Sequence, residues 1–167
     1  DDGQVLFYFI GTENYVNSDT TGLVILQPVL TWGNGHRGWN MASWNCCPSG
    51  ESYTSDFITD MTAGTTAYGN ISIDGGVSTI VSTYEGQAVT LAVDQADREF
   101  NWMDVTLEEY DVSDCSQFSG PQTIYDMSAY STTGEVISPS WTDSTGSTGC
   151  GGYQTFDEKS WTVTHSG

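Results

Sequence analysis

Asp104, Thr106 and Glu108 recur at every second position within residues 99–110. In a β-strand this spacing puts three oxygen-bearing side chains in one row on one face. Phe100, Trp102 and Tyr110 share that row, while Met103, Val105 and Leu107 form the opposite, core-facing set. Carboxylates serve as general bases or hydrogen-bond acceptors, and rings stack on a sugar face or an apolar side chain. Acids alternating with rings therefore suit a groove for a polar ligand. The same pattern also fits a half-exposed antiparallel strand whose outer rings only pack across strands.

Gln27 is the second residue of interest. It interrupts the apolar runs 23–26 and 29–30, and a buried amide without partners costs roughly 1–3 kcal/mol. It either satisfies the backbone beside Pro28 or presents its amide to a groove, where it can hold a carbonyl, a hydroxyl or a water. Trp39 is a further ring assigned to that groove. Other chemistries find less support. Asp111, Asp114 and Asp126 match no calcium-loop spacing, and His36 and His165 sit in no motif, His165 being expected in solvent near the C-terminus. No nucleophile-elbow pattern accompanies the many serines. No metal and no cofactor is expected.

The elements that must position these residues are strands. In 167 residues there are 19 glycines and no helix-length amphipathic run, and the length suits one domain, residues 1–167, with a real core. Expected strands cover 5–10, 23–32, 39–45, 65–73, 77–84, 87–93, the 99–110 stretch, 121–130, 136–141 and 160–165; residues 53–61 are ambiguous. Pro28 cannot donate to a ladder, so its strand is expected at a sheet edge or with a bulge. Glu13, Asn14, Tyr15 and Asn17 read as an exposed loop, and 142–152 as a flexible loop tied down by Cys150. Roughly nine to eleven strands with frequent turns indicate an all-β fold, an antiparallel β-sandwich of jelly-roll, concanavalin A-like type.

Composition narrows the partners. Arg37, Arg98 and Lys159 are the 3 basic residues against 22 acids, for a net charge of −19. Phosphate binding needs clustered Lys and Arg, so neither nucleic acid nor an anionic membrane is an expected partner. Since Asp and Glu titrate near pH ~4, much of the charge vanishes in acid, as suits a protein working in an acidic medium. Cys46, Cys47, Cys115 and Cys150 lack zinc-ligand spacing. Cys46 and Cys47, being adjacent, are expected to pair not with each other but one each with Cys115 and Cys150, in either of two ways. Two disulfides, together with the sequon at Asn70, point to a secreted, extracellular protein; the chain shows neither a signal peptide nor a membrane span and reads as a mature form.

The order of segments resembles that of the eqolisins, the fungal glutamic peptidases. Phe9-Ile-Gly-Thr-Glu13 resembles their aromatic-Val-Gly-Ile-Asp turn, and Val24-Ile-Leu-Gln27 their Ala-Ile-Leu-Gln strand. Residues 39–48 resemble their aromatic-rich strand before a proline, Met61-Thr-Ala-Gly64 their Ile-Ser-Ala-Gly-Asp turn, and 78–90 the hairpin that follows. Phe100-Asn101 with Asp104-Val-Thr-Leu-Glu-Glu109 resembles their Tyr-Asn-Ala-Glu-Trp-Ile-Val-Glu-Asp strand, with one gap near Trp102. The resemblance spans about residues 5 to 130. It implies a secreted, acid-active β-sandwich in which Gln27 stands at the catalytic Gln, Asp104 at the catalytic Glu and Glu108 at the second Glu of that strand. In the family the Glu acts as general base on a water and the Gln amide steadies the oxyanion. Asp104 is one methylene shorter, and a displacement on the order of 1 Å can cost ~100-fold in rate.

Two functions follow. The first is a non-catalytic module binding a glycan or polypeptide, with Phe100, Trp102, Tyr110 and Trp39 stacking and Gln27, Asp104, Thr106 and Glu108 hydrogen-bonding. The alternative is an acid endopeptidase using Gln27 with Asp104. A structural or storage protein of an extracellular layer is a third reading.

Overall fold

The computed structural model describes residues 3–15, 22–95, 98–143, 150 and 153–165. Its contacts gather into two units, Gly3–Asp111 and Val112–Gly167.

The first unit contains strands β1 (Val5–Glu13), β2 (Ile25–Trp32), β3 (Trp39–Cys46), β4 (Tyr53–Thr54), β5 (Ile58–Met61), β6 (Ala67–Asp74), β7 (Val77–Tyr84), β8 (Gln87–Asp94) and β9 (Trp102–Tyr110). One sheet runs β4-β3-β2-β1-β9, with β5 also on β3; the other runs β6-β7-β8. Every pairing is antiparallel. The β6–β7 turn is made at Gly75 and Gly76, with φ of 57° and 81°, the left-handed pair that a tight hairpin needs and glycine supplies without strain. The expected all-β, antiparallel sandwich is what the chain adopts.

Alternation decides how the sheets stack. Leu26 of β2, with Val24 just before it, meets Ile80 of β7, and Ile71, Ile73, Leu91, Val93 and Phe100 pack around them. Ser43 of β3 and Ser82 of β7, both fully buried, hydrogen-bond through their hydroxyls at 3.0 Å. The even-numbered side chains of β2 and odd-numbered ones of β3 thus face the second sheet. The odd-numbered side chains of β2 point to the other face of the large sheet, the one that carries the site.

β2 is a central strand, not the edge strand expected from Pro28. Its register holds from Leu6↔Trp32 through Phe9↔Val29 and resumes unchanged at Thr12↔Leu26. The ladder is interrupted only opposite Gln27 and Pro28, without an extra residue on either side. A proline lacks one N–H, and a two-residue gap in one ladder is the whole consequence. Pro28 still pairs with Ser43 on its other side.

The cysteines also differ from expectation. Cys46 pairs with Cys47, and Cys115 with Cys150. The expectation that neighbours in sequence would each bond a distant cysteine is thus overturned: the 46–47 bridge closes between adjacent residues, their Cα atoms 3.1 Å apart.

The second unit has strands β10 (Gln122–Ile124), β11 (Ala129–Tyr130), β12 (Val136–Ile137), β13 (Tyr153–Phe156) and β14 (Trp161–Thr164). They form a β10-β14-β13 sheet and a β11-β12 pair. The single strand expected over 121–130 is divided, with Asp126 at φ 55° between the halves. That expected over 136–141 ends after two residues, and β13 had no sequence signal. Most of the 142–152 loop lies outside the described residues. His165 is not solvated as expected: its ring stacks on Phe118, with centroids 3.8 Å apart.

Candidate active site

The site is assembled by the register of four neighbouring strands. Across β1 and β9, Phe7 stands opposite Glu108, Phe9 opposite Thr106, Gly11 opposite Asp104 and Glu13 opposite Trp102. On the other side of β1, Phe9 pairs with Val29 and Glu13 with Ile25, which sets Gly11 level with Gln27. Gln27 in turn pairs with Trp44 of β3. One row therefore crosses the sheet in the order Trp44, Gln27, Gly11, Asp104. Gln27 and Asp104 are two strands apart, roughly 10 Å between backbones, and the strand between them bears no side chain at that point.

The bare position is occupied from the side. A Cβ at residue 11 would overlap Asp104 Oδ1 and lie 3.0 Å from its Cγ. The Asp104 carboxyl therefore lies over Gly11, leaning toward β2. Thr106 Oγ1 donates to Asp104 Oδ2 at 2.7 Å and fixes that orientation. Asp104 Oδ1 and Gln27 Oε1 are buried and accept no hydrogen bond from the described residues. Both are acceptors in one row, so each is suited to receive a hydrogen bond from a donor on a bound molecule.

Aromatic rings bound the row on both sides. Toward the start of β1, Phe7 meets Trp44 at 5.6 Å and Tyr110 at 5.8 Å. Phe9, Val29 and Ala42, in the intervening row, are buried. Toward its end, the Tyr15 and Trp102 rings lie 5.1 Å apart, and Trp102 is 46% exposed. A sheet face with a polar row and aromatic rings at its ends has the chemistry to meet an extended chain carrying both amide groups and apolar side chains.

The carboxyls are electrostatically coupled. Burial, and then the charge of Glu108, raise the pKa of Asp104, against the lowering effect of the Thr106 hydroxyl. Burial raises Glu108 as well, partly offset by the bond from Tyr110. Glu13 is pushed up to about 7 by burial and by the charges of Asp104 and Glu108. Below about pH 7 the site thus holds a protonated Glu13 carboxyl beside Asp104.

Of the residues expected at the groove, Gln27, Trp102, Asp104, Thr106, Glu108 and Tyr110 share this face. Phe100 does not: β9 begins at Trp102, and Phe100 packs into the Val24–Leu26–Ile80 core. Trp39 lies on the opposite face with Tyr8 and Trp32, because its odd number in β3 points it at the second sheet. Sequence reasoning missed Gly11 and Glu13 by ending the first strand at residue 10. Glu13 is the last residue of β1 and not loop. The available signal was Gly11-Thr-Glu13 continuing the alternation of the apolar run.

No protein-family profile matches the chain, and no curated protein matches it. Among solved structures, the fold is similar to that of aspergilloglutamic peptidase from Aspergillus niger, with a TM-score of 0.62 and 18% identity over 96% of this chain and 98% of that one. At that identity the likeness establishes the fold. The eqolisin fold expected from the segment order is the fold found; membership with Asp in place of the catalytic Glu is a separate matter of chemistry.

Proposed function

We propose that the chain is an acid-active hydrolase that cleaves peptide bonds with Asp104 and Gln27. The observation that carries this reading is the Asp104 carboxyl lying over Gly11, in the same row as the Gln27 amide. Asp104 is set to take a proton from a water as its oxygen attacks the carbonyl carbon, and the Gln27 amide to donate to the oxygen that becomes negative. Leaning over Gly11 brings the carboxylate toward β2, in the direction that offsets its missing methylene. The fold shared with a peptidase supports the same assignment, and the two disulfides support an extracellular location.

Incubation with a mixture of unstructured peptides at pH 2–5, read by mass spectrometry, tests the proposal. Cleavage by the wild type and a loss of ~100-fold or more in Gln27→Ala are expected. One observation favours the binding module instead: Trp102 and Tyr110 offer half-exposed rings at the two ends of the acid row, 46% and 53% exposed. In that case peptides or glycans bind and are recovered intact.

A further inference from the structure

We propose that Glu13 is the proton donor to the leaving amine, forming with Asp104 a two-carboxyl pair that spans Gly11. The inference rests on the hydrolytic reading of the site but assigns a residue which that reading does not require.

The placement comes first. Glu13 and Asp104 are diagonal neighbours on the same face of the β1–β9 ladder, two residues from the level pair in which Gly11 opposes Asp104. Diagonal neighbours in a ladder stand about 7–8 Å apart at the backbone, a gap that two carboxyl side chains close. The end of β1 is held firmly there. Thr12 Oγ1 donates to the Trp102 carbonyl at 3.0 Å, and the Asn101 backbone N–H donates to the Glu13 carbonyl at 3.0 Å. Glu13 faces Trp102 and, diagonally, Asp104 of β9, and apolar Ile25 of β2, and the charge of Glu108 reaches it from farther along β9. No cation is among these described neighbours.

The division of labour follows from the tethers. Thr106 holds one oxygen of Asp104, and the other lies over Gly11, so the short Asp104 side chain works on the water side of the bond. Glu13 approaches from the strand end with one more methylene of reach. Its raised pKa, about 7, keeps it protonated in acid and able to give up a proton. In the reaction, Asp104 accepts a proton from water as the water oxygen bonds to the carbonyl carbon. The C–N bond then breaks, its electron pair passes to nitrogen, and nitrogen takes the Glu13 proton. Transfer of the acquired proton from Asp104 to Glu13 through solvent restores the pair. One water is consumed, and one carboxyl and one amine are released.

An amide leaving group needs that proton, whereas a p-nitrophenolate leaves without it. The test compares peptide cleavage with hydrolysis of a p-nitrophenyl ester of the same acyl peptide, at pH 4, in wild type, Glu13→Gln and Asp104→Asn. Glu13→Gln is expected to slow peptide kcat by ~100-fold and ester hydrolysis by less than ~3-fold, with Asp104→Asn slowing both. Equal effects of Glu13→Gln on the two substrates, or none on either, overturn the proposal while leaving the hydrolytic site in place. A wild type that cleaves neither substrate overturns both. Glu13→Asp, which keeps the acid, separates proton donation from packing: partial recovery of peptide kcat is expected, and none counts against donation.

Discussion

Gly11 and Asp104 face each other across the β1–β9 ladder, and the side chain that Gly11 lacks is the space the Asp104 carboxyl fills. That relationship joins an early strand to a late one. It also explains how an aspartate two strands from Gln27 comes to share its row.

Gly11→Ala tests the relationship by itself. The backbone at Gly11 is not left-handed, so alanine is tolerated there conformationally, and the clash falls on the movable end of Asp104. Hydrolysis is expected to fall ~100-fold or more, with a stability loss of only about 1–3 kcal/mol. Retained activity in a folded variant would mean that the carboxyl does not act from over Gly11.

Thr106→Val removes the 2.7 Å bond to Asp104. That bond lowers the Asp104 pKa, so its loss raises it, and less of the base form exists at low pH. The acid limb of the pH–kcat/KM profile is expected to move to higher pH. An unmoved limb would show that Thr106 does not set the ionisation of the catalytic base.

The raised Glu13 pKa has a thermodynamic sign. The folded state binds this proton more tightly than the unfolded chain does, so stability is greatest below pH 4.5 and is lost as the pH rises toward about 7. With solvent screening of this partly exposed group, the loss amounts to roughly 1–3 kcal/mol. Burial of Asp104 and Glu108 adds in the same direction. Denaturant unfolding between pH 4 and 8 is expected to show stability falling with pH, with a shallower slope in Glu13→Gln; identical slopes would place Glu13 in solvent.

Phe100 and Trp102 separate the core from the site face. Phe100→Ala is expected to cost about 1–3 kcal/mol, since its ring packs on the Val24–Leu26–Ile80 cluster, and to leave kcat per folded molecule unchanged. Trp102→Ala, at a ring 46% exposed, is expected to leave the melting temperature within a few degrees and to raise KM. The reverse pattern would return Phe100 to the groove.

How much of this was legible in the sequence depends on the range of the interaction. The hairpin of β6 and β7 declares itself because alternation and the Gly75-Gly76 turn are local. The face of β9 is equally legible, since period two sorts Asp104, Thr106 and Glu108 onto one side. Gln27 stands out against its apolar neighbours. Where a strand starts is harder: extending the alternation back to Phe100 ignored that pairing begins at Trp102. Glu13 was hidden by the turn-forming residues after it, because what makes it strand is pairing with a segment some ninety residues away. Pro28 suggested an edge, but its missing N–H needs only one gap in one ladder. Cys46 and Cys47 bond to each other, a pairing that residue types do not announce.

The most direct measurement is the initial rate of cleavage of an unstructured polypeptide at pH 4, wild type against Asp104→Asn. The asparagine keeps the shape and the bond from Thr106 but cannot accept the proton of a water. Cleavage by the wild type and a loss of ~100-fold or more in the variant are expected. Equal rates in the two proteins, or no cleavage by the wild type, would contradict the assignment of this sheet face as a hydrolytic site.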